Sequence, residues 1–183
     1  TFIYTIAAGL GFGGYAGAIK GETEEYNGTS WSEGNNLNTA KQQLPGAGTQ
    51  TAAITSTGYD GTNVLAETEE YNGTAWSQLG SDIDGEAAND DSGRSVSLSS
   101  DGSIVAIGAP KNDGTGSNSG SVRVYKNNLG TWNQIGANID GETVGDTSGW
   151  SVSLSSDGSI VAIGANEYNG INERGSVRVY KYI

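Results

Sequence analysis

An all-β fold of repeated antiparallel sheets is what this sequence predicts, and two internal duplications carry the prediction. Residues 95–109 read SVSLSSDGSIVAIGA, and the same fifteen letters return at 151–165, 56 positions on. ETEEYNGT at residues 22–29 returns at 67–74, 45 positions on, and Trp31 or Trp76 follows each copy. Repeats of this length are supersecondary units that bury their apolar faces only by stacking on neighbours. A third observation is the pattern of the apolar residues. Ile104-Val105-Ala106-Ile107 and Val122-x-Val124 suit half-buried strands, which argues against disorder in a Gly/Ser/Asn-rich acidic chain, and no segment carries a helical period.

Each element follows from local chemistry. Within the second repeat, residues 44–48, 50–55, 66–71 and 74–79 are expected as four strands, the last two joined at the Asn72-Gly73 turn. In the third, an acidic loop (Ile83-Asp84-Gly85-Glu86, then Asp90-Asp91-Ser92-Gly93) leads into residues 95–98, which alternate polar and apolar as a strand does. Ser99-Ser100-Asp101-Gly102 is a tight turn, and residues 104–109 are its more continuously apolar partner strand. Residues 121–125 form the third strand, 127–130 a turn and 131–135 a fourth strand, so the unit is a four-stranded antiparallel meander. The whole chain divides into units at about 1–32, 33–77, 78–133 and 134–183. The first unit begins inside a strand and the last stops without a Trp-bearing fourth strand. Residues 1–4, a neighbouring copy or an unseen part of the chain are expected to supply the missing strand.

Composition excludes several function classes. Nine Lys and Arg stand against 21 Asp and Glu, and the net charge of −12 opposes phosphate backbones and anionic membranes. Cysteine, histidine and methionine are absent, which removes disulfides, thiolate nucleophiles, Ser-His-Asp triads and His/Cys zinc sites. No run reaches the roughly 18 to 20 apolar residues of a membrane-spanning helix. The chain starts at Thr1, and the expectation is a processed product or an ordered piece of a longer protein.

Two family resemblances enter here. Gly13-Gly14 or Thr57-Gly58, the glutamate-rich strands, and Tyr26/Trp31 and Tyr71/Trp76 resemble the kelch repeat, a four-stranded propeller blade, although Thr57 departs from the double glycine. Gly93-x-Ser95-Val96-x-Leu98, Asp101-Gly102 and Val105-Ala106-Ile107-Gly108-Ala109-Pro110 resemble the FG-GAP repeat, another propeller blade; Asn166 replaces the closing proline in the second copy. Residues 1–77 thus resemble the kelch repeat and 78–183 the FG-GAP repeat, and the two resemblances imply one β-propeller domain of about four blades, the units given above. Many FG-GAP blades hold calcium in a loop with several carboxylates, and a hard cation needs about six oxygens. The matching turns here offer Asp101 or Asp157 alone, so no metal is expected there; Asp82, Asp84 and Glu86 form a richer but weak calcium candidate.

Residues repeated in every unit serve the unit, so recognition is sought where the repeats differ. Trp150 stands where the other copy has Arg94; an aromatic at a loop edge stacks on a sugar or a partner. Tyr15, Tyr59 and Tyr168 lie beside loops and join the candidates. Arg123 and Arg178 are repeat equivalents read as solvent-facing partners of acidic neighbours, and Trp31, Trp76 and Trp132 as wedges between units. Asn27-Gly28-Thr29 and Asn72-Gly73-Thr74 are formal glycosylation sequons, explained equally by hairpin turns.

The expected function is a non-enzymatic structural and recognition module of an extracellular, cell-surface or virion assembly, resembling phage tail-fibre or bacterial surface proteins. Expected partners are a protein or cell-surface glycan and copies of the chain itself, with no nucleic acid, no membrane insertion and no required cofactor. A carbohydrate-binding lectin is the alternative. A glycan-cleaving enzyme built on Glu24/Glu25 or Glu69/Glu70 is a third reading, since glycosidases need two placed carboxyls.

Overall fold

The computed structural model describes residues 8–56, 58–62, 65, 67–166 and 174–182. Thr57, Tyr168 and the ring-closing segment expected at residues 1–4 lie outside them. The described residues form four antiparallel sheets and no helix. The first sheet holds β1 (Gly9–Tyr15), β2 (Ile19–Tyr26) and β3 (Trp31–Gly34), in that order. β4 (Gly46–Thr49), β5 (Ala52–Ser56), β6 (Thr68–Tyr71) and β7 (Trp76–Gln78) make the second, also in chain order.

The third sheet runs from β8 (Ser95–Leu98) through β9 (Ile104–Ala109) and β10 (Ser121–Asn128) to β11 (Thr131–Gln134). It gains a short strand the sequence did not announce, β12 (Ile139–Asp140), which pairs Ser121 with Asp140 and Val122 with Ile139. β13 (Ser148–Leu154), β14 (Ile160–Ala165) and β15 (Ser176–Lys181) complete the fourth sheet. The duplicated letters fold alike: Ser97 pairs with Ala106 as Ser153 pairs with Ala162, and Arg123 with Ile107 as Arg178 with Ile163.

Alternation along each strand assigns one set of side chains to each face of a sheet. On the third sheet, Ala106, Val122 and Val124 face the fourth, and they are buried against Val161 and Ile163. Its opposite face carries Val105, Ile107 and Tyr125, packed with Ile83 and Trp132. Between the first two sheets, Leu37, Ala53, Tyr71 and Trp76 close on Leu10, Phe12 and Leu44. The third and fourth sheets approach so closely that a Cβ on Gly108 would lie 2.2 Å from the carbonyl oxygen of Gly149, which requires glycine there.

Two expectations are corrected by this packing. Arg123 does not face solvent: it is 6% exposed, and its guanidinium donates to the Asp84 carbonyl (2.7 Å) and to Ser92 Oγ (3.2 Å). Arg178 repeats the arrangement on Asp140 O and Ser148 Oγ, half-buried. An arginine stem covers apolar surface while its planar head ties two loop groups together, so the residue locks each acidic loop onto its own sheet. The tryptophans also part company. Trp76 is a buried wedge and Trp132 donates to Leu79 O, just beyond β7, but Trp31 is 55% exposed and, among the described residues, stacks on Tyr26 of its own sheet.

Candidate recognition site

The two Asp-Gly turns are self-contained. Asp101 Oδ1 accepts from Ser99 Oγ (2.6 Å), Ser103 N (3.0 Å) and Ser103 Oγ (2.9 Å). Asp157 accepts the same set from Ser155 and Ser159. These hydrogen bonds, the serine hydroxyl at position 99 or 155 first, hold each carboxyl down to about 2. The carboxylates are spent on their own turns. Asn27 and Asn72 close their hairpins in the same spirit, each side-chain oxygen accepting two backbone N–H groups, from Thr29 and Ser30 or from Thr74 and Ala75.

The acidic loop before β8 is similarly occupied. Asp82 accepts from Gln78 Nε2 (2.8 Å), and the Asp84 carbonyl is taken by Arg123. Glu86 accepts from Asn138 Nδ2 (2.9 Å) and Asn112 Nδ2 (3.1 Å). No group of three acidic residues able to hold a metal ion forms among the described residues. Amide donors thus engage the Asp82 and Glu86 carboxylates, while Arg123 engages the backbone carbonyl of Asp84.

The adjacent glutamates do not act as converging pairs. Glu25 accepts a hydrogen bond from the Tyr71 hydroxyl, and burial together with that bond pushes the phenol up to about 12. Glu69, on the opposite side of its strand from Glu70, is buried beside Lys41, whose ammonium is fully buried and lies 2.8 Å away. Glu69 also accepts from the backbone of Asn38 (2.8 Å). A cavity of about 550 Å³ between the first two sheets includes Glu25, Glu33 and Tyr71 in its lining.

Three of the sequence candidates meet at one place. The Arg94 guanidinium lies over the Trp150 ring, 4.5 Å from its centroid, and Trp150 remains 44% exposed. Arg94 also lines a cavity of about 180 Å³ with Tyr59, Gln43, Asp91 and Ser92. The sequence placed Arg94 and Trp150 at equivalent positions of different repeats. The structure puts them in contact because β13 packs across the start of the third sheet, where Ser95 Oγ donates to Gly149 O (2.8 Å). The Tyr59 hydroxyl donates to Gly61 O (2.8 Å), and Lys111 pairs with Asp91 (2.8 Å). Tyr15, 67% exposed at the end of β1, is not part of this lining. Gln43 and Asp91 were missed; both have left-handed backbones (φ 55° and 53°), a strain no sequence pattern announced.

Chemically, the cavity combines an amide, a carboxylate, hydroxyls and a guanidinium, and that guanidinium in turn lies over the partly open Trp150 indole. Its volume is below the roughly 300–1,000 Å³ of pockets that enclose a small molecule, so it suits one ring or one side chain of a larger ligand. As a class, the molecule is an all-β chain of successive antiparallel sheets with internal repeats. A family model described as FG-GAP repeat matches residues 82–125, the span from the acidic loop to β10. No curated protein matches the chain.

Proposed function

We propose that this chain is a non-enzymatic structural and recognition module: a four-bladed β-propeller, kelch-like in its first half, working in an extracellular or virion-surface assembly such as a phage fibre or bacterial adhesin. The observation that carries this reading is the division of labour between residues. Those common to the repeats, Asp101/Asp157 and Arg123/Arg178, are engaged in holding turns and loops. The pair that differs, Arg94 and Trp150, is stacked and exposed beside a polar cavity. The FG-GAP match supports the propeller, because blades of this kind stack face to face as these sheets do.

A lectin is the second reading, favoured by the Trp150 indole. One ring face is occupied by Arg94, which orients it, and an exposed, oriented aromatic beside hydrogen-bonding groups is suited to a sugar's apolar face. Glycan-array binding by the wild-type chain, lost in Trp150→Ala with the unfolding midpoint unchanged, is the expected result. Binding that survives the substitution would remove this site from the account. Turnover of any arrayed glycan would sink the non-enzymatic reading.

A further inference from the structure

The repeats permit a comparison that a single sheet would not: identical residues are buried inside the chain and bare at its two end sheets. Val122 and Val124 on β10 are 0% and 1% exposed, covered by the fourth sheet. Their copies Val177 and Val179 on β15 are 71% and 65% exposed, in the same Ser-Val-Arg-Val-Tyr-Lys string. At the other end, Tyr71 and Trp76 form a tilted ring pair 5.1 Å apart, buried against Phe12, and the Trp76 indole donates to Thr23 (2.9 Å). Their copies Tyr26 and Trp31 keep the same tilted pair at 5.2 Å, with Trp31 in solvent.

The two bare faces are of opposite kind. In the step from the third sheet to the fourth, and in that from the first to the second, the face bearing Val122 and Val124, or Phe12 and Thr23, looks forward to the next sheet. The face bearing Val161 and Ile163, or Tyr71 and Trp76, looks back. The fourth sheet therefore exposes a forward face and the first a backward one. Charge completes the match. Glu69, on the Tyr71 side of β6, is neutralised by the buried Lys41, but its copy Glu24, on the Tyr26 side of β2, is exposed. Lys181 lies on the same side of β15 as Val177 and Val179, by strand alternation, and is exposed.

We propose that the chain assembles head to tail with further copies of itself, the Val177/Val179/Lys181 face of one covering the Trp31/Tyr26/Glu24 face of the next. The contact keeps the forward-on-backward sense of the interior steps while setting a valine face against a Tyr/Trp face, a combination the interior steps described above do not contain; it is heterologous, and it closes into a ring where the accumulated rotation allows. The inference rests on the sheets alone and stands independently of any glycan result.

Native mass spectrometry of the full chain over a range of concentrations tests it. The wild type forms multimers; a monomer at every concentration, including one closed on its own first sheet, overturns the proposal. Val177→Asp with Val179→Asp blocks one face, and Trp31→Ala with Glu24→Lys the other, and each double variant alone is monomeric. Mixed together they form a one-to-one heterodimer through the two intact faces. A homodimer from either variant alone shows an isologous contact and overturns it. Should the paired aspartates prevent folding, Lys181→Glu alone weakens assembly by about tenfold and Glu24→Lys in the same chain restores it; assembly indifferent to this swap overturns the charge match and the orientation with it.

Discussion

Asp101 and Asp157 show how much of the acidic character of this chain is local bonding. Each carboxylate accepts hydrogen bonds that vanish on unfolding, and each is held at about 2, below an unfolded aspartate near 4. A depressed folded value means stability that is complete above the unfolded value and lost as pH falls through the folded one. The urea midpoint, followed by tryptophan fluorescence, is therefore expected to hold down to about pH 5 and to fall between about pH 4 and 2. Asp101→Asn with Asp157→Asn is expected to lower the midpoint at neutral pH and to flatten the acid limb. An unchanged acid limb would assign it to other carboxylates. The turns were legible in the letters, since Ser-Ser-Asp-Gly-Ser supplies both bend and acceptor. The contact of Arg94 with Trp150 was not, because residues 56 positions apart meet only when two sheets pack.

At the scale of elements, identical strands acquire different energetics from their neighbours. Trp76 fills the space between the first two sheets, and Trp76→Ala is expected to cost about 3–5 kcal/mol in chemical unfolding, the cost of truncating a buried aromatic. Trp31→Ala, the same substitution in the same repeat letters, is expected to change the stability of the dissociated chain by less than about 0.5 kcal/mol. Equal losses would contradict the exposure of Trp31. Strand positions followed from alternation and turn residues at 95–98, 104–109 and 121–125. β12 escaped notice because two residues carry no period. Arg123 was misread because a charged letter on a strand says nothing about the loop folded over it.

For the whole molecule, the apolar clusters fall into groups. One spans the first two sheets, another the third and fourth, and a third fills the opposite side of the third sheet. Where the second, third and fourth sheets meet, the structure leaves a cavity of about 370 Å³ lined by Ile54, Leu98 and Leu154 among others. Repeat arrays whose units touch chiefly their neighbours lose cooperativity at the weakest step. Hydrogen exchange on the Trp76→Ala variant is expected to deprotect β5, β6 and β7 while β9, β10 and β14 keep their wild-type rates. Uniform loss of protection would show a single cooperative unit instead.

By itself, the sequence determined the repeats, the all-β character, the turns and the absence of histidine and cysteine chemistry. These are properties of adjacent residues, set by side-chain alternation, Asp-Gly and Asn-Gly geometry, and composition. Tertiary structure alone decided which copy of each repeat is buried. Burial depends on what packs against a face, and two identical strings cannot differ in their letters, so Val122 and Val177 part company only in three dimensions.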